Sequence, residues 1–184
     1  AIASGIFGTW GQTLKEEMAL LPHTNAMLAL MRDGFVEQSQ GGKVSIDDKG
    51  NPVLDYDITD FIWDGAKLAY LSMAEAQFAA GAKKVKAAHL DSTWIDSWQA
   101  AKTQIEQLPY KKFRTALFTA HLMGGCMMSD NEQMGVVNSQ GRHHQLENLS
   151  IFDGSVFPTS LGVNPQLSIY GLVAQNATAL AAKL

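Results

Sequence analysis

His121 and Asn164 are the two side chains whose surroundings could do chemistry. His121 follows the largely apolar run 116–120 and precedes the pair Gly124 and Gly125, which lets the backbone turn sharply. Held at the edge of a core, an imidazole that titrates near neutrality is a natural proton acceptor, although a single histidine in such a setting is often only structural. Asn164 precedes Pro165 and Gln166. Asparagine is a preferred helix N-cap, and proline suits the first helical position because its missing N–H would have had no partner there. The segment 153–166 therefore reads as a short buried strand, a polar turn at Asp153-Gly154-Ser155, and a helix opening at Asn164. Its free donors would be the N–H groups of Gln166 and Leu167, at the positive end of the helix dipole, where a ligand that carries or develops negative charge is favoured. Such a start beside a polar turn points to a cofactor; an ordinary capped core helix gives the same pattern.

The remaining chemically interesting side chains are weaker candidates. Cys126 stands in a glycine-rich, apolar setting with no activating charge, so a buried small residue fits it better than a nucleophile. His143-His144 lacks the carboxylate or cysteine spacing of a metal site and reads as an exposed turn. No metal is expected, and a thiol or metal hydrolase is disfavoured. Met123, Met127, Met128 and Met134 read as packing. No G-x-G-x-x-G follows a strand anywhere in the chain, so by itself it should bind a dinucleotide poorly.

These residues need elements to position them. The final helix would carry Leu167, Tyr170, Ala174, Ala177 and Ala181 on one stripe and Ile169, Leu172, Val173 and Leu180 on another. Apolar nearly all round, it should be buried. Upstream, residues 1–11 read as a loop anchored by Ile2, Ile6, Phe7 and Trp10, feeding a segment 14–21 that Pro22 ends. The apolar run 25–31 leans towards a strand. Residues 43–56 carry a β-hairpin signal, two runs with β-branched residues around Asp48-Lys49-Gly50-Asn51. Asp57 would cap a helix running to about residue 80, with Ile58, Phe61, Ile62, Gly65, Leu68, Ala69, Ser72, Ala76 and Ala79 spaced by threes and fours and Gly81 as its stop. A strand is expected at 85–88. A second amphipathic helix is expected at 92–107, closed by Pro109, with Trp94, Ile95, Trp98, Ala101, Ile105 and Leu108 on its buried face.

Composition bounds the reading. The 184 residues are 46% apolar, enough for a real core. A net charge of -4 without a basic run argues against nucleic acid as a partner, and no apolar stretch is long enough to span a bilayer. One cysteine excludes an intrachain disulfide framework and leaves the compartment open. The opening at Ala1 reads as mid-domain sequence, so the chain is expected to be the C-terminal piece of a longer protein.

The segment 153–166, preceded by His121-Leu122-Met123-Gly124-Gly125-Cys126 and Gly135-Val136-Val137-Asn138, resembles the C-terminal signature of the GMC (glucose-methanol-choline) oxidoreductases. The resemblance covers at least 119–184 and continues more weakly through Arg32-Asp33, the hairpin and Ala79-Ala80-Gly81-Ala82. It implies an α+β fold, an antiparallel-sheet substrate domain with helices over 1–120, followed over 121–184 by the strand and helix that complete an FAD-binding α/β domain. It implies FAD as cofactor, a small-molecule alcohol as substrate, and the N-terminal FAD-binding portion of the same protein as partner. His121 would take or hydrogen-bond the alcohol's hydroxyl proton and Asn164 would hold the same oxygen, while the carbon passes hydride to flavin N5. In other branches the second position is also histidine. Pro165 and Gln166, with Asn164, would contact the flavin, and Asp153 and Gly154 its ribityl and pyrophosphate part. Sugars, sugar acids, sterols and other lipophilic alcohols all remain open as substrates. The alternative reading is a non-catalytic binding or subunit fragment without flavin.

Overall fold

A computed structural model of the chain describes residues 7–184, so the expected anchors Ile2 and Ile6 lie outside the described residues. The fold is α+β, with four α-helices and one two-stranded antiparallel sheet among the described residues. The described residues form two compact units, one from residues 7–31 and 58–118 and the other from 32–57 and 119–184. The hairpin segment thus shares a unit with the C-terminal third.

In the first unit, helix α1 (Gly11–Ala19) runs into a 3-10 turn at Leu21–His23. Pro22 sits at the start of that turn instead of ending the helix, because a proline is accepted where no N–H is required. Of the expected anchors, Phe7 is buried and Trp10 is exposed. The expected strand at 25–31 does not form; these residues are mostly exposed and irregular, and no neighbouring strand offers them a ladder. Helix α2 (Asp60–Ala79) starts from Thr59, whose carbonyl accepts from Ile62 and Trp63, so Asp57 is not its cap. It ends on Gly81 at φ +93°, where Gly81 N–H donates to Phe78 O and Ala82 N–H to Gln77 O. That paired closure requires a left-handed residue, the conformation glycine adopts without penalty.

The stripe of α2 read from the sequence is not the one the unit buries. Phe61 and Leu68 are exposed, whereas Ala66 and Ala74 are buried. The helix is apolar on more than one side, and the small alanines let helix α3 approach closely. Helix α3 (Trp98–Gln107) is shorter than expected, because residues 92–97 lead into it as an irregular segment. Trp94 and Ile95 are therefore outside the helix. Ile95 instead exchanges both backbone hydrogen bonds with Val85, and the expected strand at 85–88 reduces to isolated bridges of this kind. Ala101, Ile105 and Leu108 are buried as expected, and Ala74, Ala87, Ile105 and Leu108 form a core cluster with Tyr70, Leu71, Val85, Trp98 and Tyr110 around it. Burial pushes the Tyr70 hydroxyl up to about 12.

Glu17 and Lys86 form an ion pair at 2.7 Å in which each side chain is only 7% exposed. Trp94 Nε1 at 2.9 Å and Thr9 Oγ1 also donate to the carboxylate, while Lys86 donates to Phe7 O at 2.9 Å. Burial raises the carboxyl's pKa, and the hydrogen bonds from Lys86, Thr9 and Trp94 outweigh it and hold Glu17 below its usual range.

In the second unit, β1 (Lys43–Ile46) and β2 (Pro52–Asp55) pair antiparallel, with Val44 opposite Leu54. Asp47 builds the turn by accepting from Lys49 and Asn51 N–H groups at 2.9 and 2.8 Å. Gly50, at φ +83°, completes it. The last helix, α4, spans Gln166–Ala181. It is apolar but not buried in this unit: Leu167 and Tyr170 are 84% and 60% exposed, and its one buried residue is Asn176. Of its two stripes, Ile169, Leu172, Val173 and Leu180 are partly covered.

Candidate functional site

The segment carrying His121 meets the Asp153 turn along a pair of backbone hydrogen bonds, Cys126 N–H to Ser155 O at 3.0 Å and Met128 N–H to Val156 O at 2.8 Å. Met127 and Val136 continue the layer, with Val136 N–H donating to Met127 O, and Val137 beside it is fully buried. The short buried strand expected within 153–166 does not form, and the expected polar turn at Asp153-Gly154-Ser155 is a 3-10 turn, Gly154–Val156. Its cause is local: the Asp153 carboxylate accepts from Ser155 N–H at 2.8 Å and from the Ser155 hydroxyl, which curls the backbone away from an extended course.

Gly154 is the meeting point of three segments. A Cβ there would lie 3.1 Å from the Leu122 carbonyl oxygen and 3.1 Å from Ile169 Cδ1. The residue after His121, the polar turn and the first turns of α4 therefore close on one glycine. Gly124, at φ +88°, supplies the bend that brings the His121 segment alongside residues 157 and 158.

The start of α4 differs by one residue from expectation. Pro165 is the N-cap and Gln166 the first helical residue, with Ile169 N–H donating to Pro165 O at 2.9 Å. Asn164 stands just outside the helix, exposed, and no side chain caps the end. The N–H groups of Gln166, Leu167 and Ser168 are consequently left without a side-chain acceptor. Pro165 is buried, and the Gln166 amide donates to the Tyr170 hydroxyl at 2.7 Å. An uncapped helix start offering consecutive donors suits a ligand that carries or develops negative charge.

His121 is half-buried, and among the described residues its ring has no hydrogen-bond partner. Three other histidines are spent on backbone. His89 accepts from Asp91 N–H at Nδ1 and so donates from Nε2 to Pro109 O at 3.0 Å. His143 Nδ1 accepts from Gln145 and Leu146 N–H groups, and His144 Nε2 bonds Ser129 O at 2.8 Å. His143 and His144 are half-buried, not an exposed turn. Cys126 is half-buried, and Met127 and Met134 are exposed, contrary to a packing role.

The GMC oxidoreductase family profile matches residues 34–172, a span holding His121, the Asp153 turn and the start of α4. The chain belongs to the GMC oxidoreductase family. Over 171 residues, 89% of this GMC chain and 22% of its relative, it is 28% identical to long-chain-alcohol oxidase FAO4A of Arabidopsis thaliana. Over 129 residues, 70% of the chain and 25% of the relative, it is 32% identical to the uncharacterized GMC-type oxidoreductase y4nJ of Sinorhizobium fredii. Over 66 residues, 36% of the chain and 12% of the relative, it is 42% identical to a cholesterol oxidase of Acinetobacter baumannii. The chain spans a quarter or less of the length of these relatives. Among the described residues no helix is long and apolar enough to cross a membrane.

The sequence reading gave Arg32 no role beyond its place in the resemblance. Its side chain lies against Gly162, two residues before Asn164, and no spacing rule joins positions so far apart in the chain.

Proposed function

We propose that this GMC chain is the C-terminal part of an FAD-dependent oxidoreductase that oxidises an alcohol, with His121 and Asn164 at the reacting carbon–oxygen bond. The observation that carries the reading is the convergence at Gly154 of the His121 segment with a helix start whose donors are uncapped. Neither His121 nor Asn164 spends its side chain on a protein partner among the described residues. Both are available to a substrate.

In this reading a ring nitrogen of His121 accepts the hydroxyl proton, and the Asn164 amide N–H donates to the same oxygen, orienting it without competing for the proton. FAD, when bound, supplies the two-electron acceptor that takes the hydride from the alcohol carbon, leaving a carbonyl. The N–H groups of Gln166 and Leu167 would stabilise negative charge on a bound flavin, with Asn164, Pro165 and Gln166 as its contacts. Asp153 and Gly154 would hold the ribityl and pyrophosphate portion, in a site that the N-terminal FAD-binding part of the protein would complete. Two relatives are named as oxidases of long-chain alcohols and of cholesterol, which favours a lipophilic alcohol over a sugar.

The test is His121→Ala in the protein carrying its dinucleotide-binding portion, mixed without oxygen with a long-chain alcohol or a sterol. Flavin should stay bound while its bleaching slows about 10²–10⁴-fold, the usual contribution of a positioned general base. Retained turnover would overturn the role of His121. A colourless wild-type protein would favour a binding or subunit role instead.

A further inference from the structure

We infer that Arg32 is a positioning residue that fixes the turn carrying Asn164, an inference that rests on the function proposed for Asn164. Gly162 adopts φ +72°, and a Cβ placed on it would lie 2.5 Å from Arg32 Cδ and 3.0 Å from an Arg32 terminal nitrogen. The arginine stem and guanidinium therefore lie in the space that a side chain at position 162 would take. The guanidinium also stacks over the Phe35 ring, 5.0 Å from its centroid. Both side chains are exposed, so the contact biases the guanidinium towards this position beside the glycine without burying it.

The same loop is pinned a second time. Thr159 Oγ1 donates to Gly34 O at 2.9 Å, while Gly34 itself adopts φ +84° and is tied back by its N–H to Ser39 O at 2.9 Å and to Asp33 Oδ1 at 2.8 Å. Asp33 is held in turn by the Tyr56 hydroxyl at the end of the hairpin. Residues 32–35 thus form a bracket across 159–162. Asn164 has no hydrogen bond of its own to hold it among the described residues, and the helix start lacks a side-chain cap. Its direction depends on the turn before it, in which Gly162 N–H donates to Ser160 Oγ at 3.3 Å and Arg32 packs against the glycine. The Arg32 guanidinium has no carboxylate partner among the described residues, so the stack on Phe35 is its anchor.

The experiment is a double-mutant cycle on the complete flavoprotein, read as the limiting rate of anaerobic flavin reduction by a lipophilic alcohol. Arg32→Met keeps the length of the stem and removes the planar cation. It should slow reduction at least about tenfold with flavin content retained, because small misplacements of an orienting group cost rate more than binding. Asn164→Ala should slow reduction as well. In the Asn164→Ala background, Arg32→Met should then cost less than about twofold, since residues that act through one another are non-additive. A general weakening of the fold would instead lower the rate equally in both backgrounds, and equal losses overturn the inference. If Asn164→Ala alone leaves the rate unchanged, the role of Asn164 fails and takes this inference with it, which separates the two failures. Should Arg32→Met lose its flavin, Phe35→Leu, which removes only the ring beneath the guanidinium, passes through the same cycle and is judged by the same non-additivity.

Discussion

Replacing Lys86 with methionine tests the buried ion pair of the first unit. The side chains of Glu17 and Lys86 are each only 7% exposed. Methionine preserves most of the stem volume and removes the charge, leaving Glu17 with Thr9 and Trp94 as donors but no counter-ion. Breaking a buried pair from one side costs about 3–5 kcal/mol, because the remaining charge keeps its desolvation penalty. At an m-value near 2 kcal/mol/M that lowers the urea midpoint by roughly 1.5–2.5 M. Converting both partners, Lys86→Met with Glu17→Gln, should recover much of the loss, since no charge is then buried.

The pH dependence gives an independent check. In the native protein Glu17 is held below its usual pKa, so its contribution is present above the unfolded value and is lost as pH falls through the lowered folded one. In Lys86→Met, burial without the cation raises the carboxyl instead, so that variant loses stability as pH rises through the raised value. The gap between the two proteins should therefore narrow on acidification. A midpoint shift below about 0.5 M, or a gap that widens in acid, would refute the view that Lys86 compensates a buried Glu17.

Gly154→Val should weaken flavin retention in the complete protein, because its Cβ would press on the Leu122 carbonyl, which as backbone cannot step aside, and on Ile169. Overpacking of this kind costs about 1–3 kcal/mol, and an unchanged flavin-to-protein ratio after gel filtration would count against Gly154 lining the cofactor. Gly81→Ala should destabilise the first unit by about 1–2 kcal/mol in a denaturant titration, since the helix closure there needs φ +93° and open space surrounds it, leaving conformation as the sole cost. A neutral Gly81→Ala would mean that the paired closure at the end of α2 does not matter for stability.

The sequence by itself determined the features whose causes are local. The hairpin follows from Asp47 and Gly50, whose turn chemistry is written in five consecutive residues, and the end of α2 follows from Gly81. The family resemblance was legible because its motifs are short, polar and rich in glycine. Tertiary structure decided which face each apolar helix buries: α2 turns Ala66 and Ala74 inward, not the stripe of Phe61 and Leu68, because both stripes are apolar and only contact with α3 distinguishes them. It decided that residues 85–88 pair as isolated bridges, since a strand needs a partner that no local pattern specifies. At the candidate site the residue types and the polar turn at Asp153 were readable, but the short strand did not form, the N-cap moved from Asn164 to Pro165, and Arg32 came to rest on Gly162. The last of these depends on a contact between segments far apart in the chain, and periodicity carries no information about such contacts, whereas the Asp153 turn has a local cause in its own carboxylate.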